Sequence, residues 1–276
     1  KIYYHDSSLA NGAGDNSYRY AGSNPNNYVC FGSDVSPCPT DNLYRIIGVI
    51  DDKVKLIKAD FASSTLLGKN GDYAYSGTPS SSYKGSLTKI DGYYWNKTSE
   101  QNTWSISSLN TTNLNTNFIN NVGSTWANKI ATTTWKVGGN TFDNIGSSVP
   151  SIAYQNEIVA PAENTTYDAK IGLMYVSDYG FAASPSAWTT ALNNYDGNDA
   201  NGTSITTINW MYMGYYDWMI SRNSDYSSIA FIVTNDGNVN GNRVSNNVGV
   251  RPSFNLSSSI TYVSGSGSMS NPIRVN

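Results

Sequence analysis

Charge is what this chain has least of. Asp, Glu, Lys and Arg make up 13% of its 276 residues, about half the usual share. There is one histidine, His5, and there are three glutamates, Glu100, Glu157 and Glu163. A Ser–His–Asp or Cys–His mechanism would have to recruit His5 from the edge of the chain; a satisfied surface or strand histidine is the simpler expectation. A glycosidase needs two carboxylates facing each other across a cleft. The aspartates could supply them, yet most sit in turn contexts such as Asp51-Asp52, Asp91-Gly92, Asp196-Gly197 and Asp236-Gly237, where the side chain has a structural task. No catalytic residue is assigned, and the chain is not expected to be an enzyme.

Other classes are also disfavoured. The 17 Lys and Arg form no stripe and the formal net charge is −3, so nothing would neutralise a phosphate backbone and nucleic acid is not an expected ligand. No apolar run approaches the ~20 residues that span a bilayer. The chain opens at Lys1 without an initiator Met or a signal peptide. It is expected to derive from a longer precursor, with membrane contact only through an anchor outside this sequence. Two cysteines, Cys30 and Cys38, enclose a short loop whose spacing fits no zinc pattern. A local disulfide is expected and two free thiols are the alternative. No cofactor is expected.

What the chain does have is 21 Tyr and 7 Trp among abundant Asn, Ser, Thr and Gly, which argues against disorder and is common in extracellular bacterial β-rich proteins. The stretch Trp210–Leu256 places Trp210, Tyr212, Tyr215, Tyr216, Trp218 and Tyr226 ahead of a run of Asn, Ser and Gly. Flat rings give contact area at low entropic cost and Asn and Ser give adaptable hydrogen bonds, the chemistry of a recognition surface such as an antibody paratope. Tyr215, Tyr216 and Tyr226 are the expected anchors. Ser221, Arg222, Asn223, Ser224, Asn235, Asn238, Asn240, Asn242 and Asn246 are the expected adjustable contacts. Strand alternation sends Trp218, Ile220, Phe231 and Val233 inward.

Along the chain, Leu43–Ile50 and Lys53–Ala59 predict a hairpin across Asp51-Asp52. Leu114, Phe118, Ile119, Val122, Trp126 and Ile130 recur at helical steps, which predicts one helix with a break near Gly123. Residues 61–110 carry few periodic signals. Ile152–Ile158 reads as extended, Lys170–Ser177 as a strand, and Ser184–Asn194 as a surface loop with Trp188 and Leu192 folded inward. Short strands follow at Asp217–Arg222, Ser228–Thr234, Val248–Leu256 and Ile260–Ser264. With no internal repeat and no clean linker, one α+β domain over residues 1–276 is expected. Asp236, Asn238, Asn240 and Gly241 match the opening of an EF-hand loop, but Asn247 stands where a bidentate Glu should close it. A hairpin tip is expected there, with calcium the alternative. Arg251-Pro252 reads as core architecture, with Arg251 tied to carbonyls.

The segment from Trp218 through GVRPSFNL resembles the C-terminal motif of bacterial surface domains with a C-type-lectin-like fold. The opening YRYAGSNPNNYVCFGSDVSPCPTDNLYRIIGVIDDKVKLIKAD and the piece KIGLMYVSDYGFAASP resemble the same proteins, so the likeness spans nearly the whole chain. Such domains are similar to the formylglycine-generating-enzyme branch of the fold and to the variable proteins of diversity-generating retroelements. The resemblance implies a C-type-lectin-like fold of short antiparallel strands, one or two helices and long loops. It also implies surface display, in some members behind a pilin-like helix, and a protein or glycan ligand on another cell or surface. Retroelement mutagenesis would leave behind a Tyr212–Asn247 segment of this composition. Catalysis is not carried over, because formylglycine-generating enzymes need C-terminal cysteines and both cysteines here precede residue 40. A carbohydrate-binding module and a structural pilus or cell-wall subunit are the alternatives.

Overall fold

The computed structural model describes residues 1–276. Its strands are short: β1 (Ile2–Tyr4), β2 (Tyr18–Tyr20), β3 (Tyr28–Cys30), β4 (Leu43–Ile50), β5 (Lys53–Lys58), β6 (Tyr73–Gly77), β7 (Ile90–Tyr93), β8 (Thr133–Lys136), β9 (Thr166–Ala169), β10 (Ile171–Gly172), β11 (Asp217–Arg222), β12 (Ile229–Val233), β13 (Val239–Arg243), β14 (Ser253–Asn255), β15 (Tyr262–Ser264) and β16 (Arg274–Val275). Every ladder between them is antiparallel. With helices of four to seven residues between them, the class is α+β.

The β4–β5 hairpin organises the larger sheet, whose order is β1-β2-β4-β5-β14-β10 with β3 also paired to β4. Its turn residues Asp51 and Asp52 both have positive φ, 51° and 59°, the type I′ geometry whose twist matches the flanking strands. Gly48 is required: a Cβ there would lie 2.1 Å from the Tyr18 carbonyl oxygen of β2. The disulfide is formed between Cys30 and Cys38.

In a second sheet, β11-β12-β13, strands β11 and β12 are buried on both faces. Trp218, Ile220, Ala230 and Ile232 enter one apolar core, and Met219, Phe231 and Val233 enter another on the opposite side. Alternation within each strand is therefore as expected, but the inward set is not a single one. Phe231 and Val233 face away from Trp218 and Ile220, because no side of β11 or β12 is left to water.

The helix over 109–127 forms as expected: a wide π-type winding at Leu109–Phe118, then Ile119–Val122, a break at Gly123 (φ 85°), then Ser124–Ala127. Leu114, Phe118, Trp126 and Ile130 enter the first core. Three expectations fail in whole or in part. Of Val248–Leu256 only Ser253–Asn255 is strand. Ile152–Ile158 is helical, because Val149-Pro150 starts a helix with proline at its first position. Of Lys170–Ser177 only Ile171–Gly172 is strand, and a helix begins at Val176. Within 61–110 the hairpin β6–β7 carried no readable alternation.

Candidate ligand-binding cleft

Much of the scarce charge lies inside. His5 is buried between Phe181 and Trp188 and accepts a hydrogen bond from the Ala13 amide at 3.0 Å. Burial holds its pKa near 4, so it is a neutral core residue and not a surface or strand histidine. Asp178 pairs with Lys55 at 2.7 Å and Arg19 at 3.1 Å. Glu157, beside it, takes the Ser177 amide at 3.2 Å. Asp217 and Arg251 form a third buried pair at 2.7 Å, and Arg251 also donates to the Met211 carbonyl. That confirms the architectural role of Arg251 and adds a carboxylate partner.

Burial, with the Asp178 charge second, pushes Glu157 from 4.5 up to about 8. The native state thus keeps a proton that the unfolded chain has released between those values. The resulting stability is complete below pH ~4.5 and is lost as pH rises through about 8. The melting temperature should fall between pH 6.5 and 8.5, and Glu157→Gln should remove most of that fall. An unchanged slope in the variant would mean that Glu157 is not held protonated.

The expected contact residues separate along the second sheet. One end joins Asp217 to Val233 and the other joins Arg222 to Ala230, about 17 Å apart at ~3.3 Å per residue. Tyr215, Tyr216, Asn235 and Asn238 lie at the first end. Arg222, Ser224, Tyr226, Asn242 and Asn246 lie at the second, and Asn240 is exposed on edge strand β13 between them. Tyr216 and Tyr226 are 40% and 63% exposed, while Tyr215 is half-buried. Arg222 is tied to Glu163 at 3.2 Å.

Ser221 and Asn223 are corrected: both are buried. Ser221 lies on a strand covered on both faces, its hydroxyl 3.4 Å from Glu157. Asn223 builds the β11–β12 turn, its side chain accepting from the Asp225 amide and its carbonyl from the Asn102 side chain at 2.8 Å. The EF-hand-like run is the β12–β13 hairpin. Asp236 accepts from the Thr234 hydroxyl and the Asn238 amide, Gly237 has φ 104°, and Asn240 and Gly241 are in strand.

At the first end the structure adds a cleft that the sequence did not reveal. It encloses about 790 Å³ between the β3–β5 region, the loop 83–87 and the segment 206–213. Trp210, Tyr212, Met213, Tyr28, Arg45, Lys58 and Asp60 are among its lining residues. The Arg45 guanidinium sits 4.1 Å from the Tyr28 ring centre and 4.8 Å from that of Trp210. From the wall residue Phe61 the rings continue outward. Tyr215 stands 5.4 Å from Phe61, and Tyr216 stands 6.5 Å from Tyr215. Tyr212 donates from its hydroxyl to the Asn235 carbonyl at 2.7 Å, joining the cleft to the β12–β13 tip. Tyr212 thus joins the cleft to Asn235, whereas Phe61 is fully buried and connects Tyr215 and Tyr216 to the cleft only through packing beneath the surface.

The cleft's two acids are already engaged. Asp41 pairs with Lys58 at 3.1 Å, and Asp60 accepts from the Tyr83 hydroxyl and from the amides of Phe61 and Ser86. No helix of the structure is long and apolar enough to cross a membrane. Comparison of the chain with protein-family models, with curated proteins and with solved structures finds no match in any of the three.

Proposed function

We propose that this chain is an extracellular ligand-binding domain of C-type-lectin-like fold, gripping its ligand in the cleft and on the tyrosine rim beside it. The observation that carries this reading is the cleft itself, with Tyr212 in its lining bonded to the Asn235 carbonyl of the β12–β13 tip and the exposed Tyr216 packed on Tyr215 nearby. Concave sites with a largely apolar wall and a few placed polar groups are the usual form of ligand pockets. Binding is favoured over catalysis because Asp41 and Asp60 are occupied by protein partners and Glu157 and Asp178 are enclosed. The ligand is a protein or glycan on another cell or surface. Retroelement diversification would fall most cheaply on exposed positions such as Tyr216, Tyr226, Asn235, Asn240 and Asn246, where substitutions usually change stability by no more than about 0.5 kcal/mol.

The test is binding of the protein to arrays of glycans and of surface proteins. For a compact ligand, Tyr216→Ala should weaken binding by roughly 2 kcal/mol or more, as truncated anchors do, with the melting temperature unchanged. Tyr226→Ala, at the far end of the sheet, should leave both unchanged. The opposite pattern would move the site to the second end. Equal loss of binding and stability in Tyr216→Ala would make that ring structural.

A further inference from the structure

The fold buries five cations, Arg19, Arg45, Lys55, Lys58 and Arg251. Four of them meet a carboxylate: Arg19 with Asp15 and Asp178, Lys55 with Asp178, Lys58 with Asp41, and Arg251 with Asp217. Arg45 alone has none. It is 6% exposed, and a charge withdrawn from water without an opposite charge is costly.

What the protein gives Arg45 is partial. Nε donates to the Asn27 side chain at 2.8 Å, and Nη2 donates to the Asn24 side chain at 3.1 Å and to the Pro25 carbonyl at 3.0 Å. The rings of Tyr28 and Trp210 flank the guanidinium, a cation–π attraction that strengthens on desolvation. Nη1 takes part in none of these three bonds and is not among the polar atoms sealed from solvent, and the Tyr28 side chain is the one further polar group that favours the charged guanidinium. Arg45 lines the cleft, the cavity from which a ligand could reach its guanidinium. Burial brings Arg45 down to about 10, which leaves it a cation at neutral pH.

Building on the cleft as the site, we propose that Arg45 is the reader of a carboxylate, and that the ligand is an acidic saccharide whose sugar carboxylate caps Nη1. The charge count favours a monoanion. Arg45, Lys58 and Lys84 line the cleft together with Asp41 and Asp60, one positive charge in excess, which a single carboxylate cancels and a phosphate dianion would overshoot. The remaining polar wall favours a sugar over a peptide acid. Ser63 and Thr206 carry hydroxyls that can donate as well as accept and Thr207 a hydroxyl that can accept, as sugar hydroxyls require. Half-buried Tyr212 offers a ring beside them.

The test changes the ligand before the protein. The intact chain is titrated calorimetrically with a galacturonate tetrasaccharide, with its methyl ester and with a neutral galactose tetrasaccharide. A short peptide with a free C-terminal carboxylate is the fourth probe. The acid should bind about tenfold to a hundredfold more tightly than the ester, the range for a hydrogen bond to a charged group. Arg45→Lys, which keeps the charge and loses the planar fork, should shrink the preference for acid over ester toward one, with the melting temperature reporting that the variant is folded. Equal affinity for acid and ester, or for acid and neutral sugar, overturns the role of Arg45 while keeping the cleft as a binding site. Binding of the peptide alone overturns the saccharide class. If none of the four binds, this inference fails; the broader reading fails only if the glycan and surface-protein arrays are silent as well.

Discussion

Arg251→Met should destabilise the protein by about 3–5 kcal/mol, the cost of leaving a buried charge without its partner. Total stabilities of folded domains are about 5–15 kcal/mol, so the loss would leave the chain close to unfolding. Arg251 is 1% exposed and its Nε lies 2.7 Å from Asp217 Oδ2. Burial already raises Asp217 to about 6 against the pull of Arg251, and its Oδ1 has no hydrogen-bond partner. Without Arg251 the carboxylate has nothing to hold it ionised. The second bond of Arg251, to Met211, anchors the segment that supplies Trp210 and Met213 to the cleft wall, so binding should fall with stability. Urea denaturation at pH 7 measures the effect. Adding Asp217→Leu to Arg251→Met should recover part of the loss, since removing both charges ends the mismatch. A loss below about 1 kcal/mol for the single variant would contradict the pairing.

The second large effect is expected at Trp218. Its side chain is fully buried and its indole N–H donates to the Tyr93 carbonyl at 2.8 Å, joining β11 to β7. Trp218→Ala should cost about 3–5 kcal/mol, from lost burial plus the cavity left behind. Trp218→Phe keeps much of the apolar volume and loses the indole bond, while the Tyr93 carbonyl still accepts from the Val248 amide at 3.1 Å, so it should cost about 1–2 kcal/mol. The same denaturation series separates the two. Equal losses in both variants would assign the whole effect to the hydrogen bond and none to the packing.

Local rules made part of this molecule readable. The β4–β5 hairpin follows from two apolar runs around a two-residue turn, and the helix near Gly123 follows from a three-and-four spacing. The second sheet was half legible: alternation in DWMISR was right, but a strand covered on both faces cannot be told from a half-exposed one by period alone, and Ser221 was misplaced for that reason. Asparagine was the larger obstacle. Asn113 ties Leu67, Asn70 and Asp72 together through its side chain, and Asn102 donates to the carbonyls of Asn223, Tyr226 and Ile229. Composition cannot distinguish these buried clamps from the exposed Asn235 or Asn246. Arg45 gave no signal at all, because its significance is the absence of a partner, which exists only once every buried cation has been placed.

The most direct measurement is hydrogen–deuterium exchange, with and without the tightest ligand found on the arrays. Protection should gather in residues 40–45, 58–61, 83–87 and 206–216, the walls and rim of the cleft. Protection confined to 223–228 and 240–246 would place binding at the other end of the sheet and contradict the account.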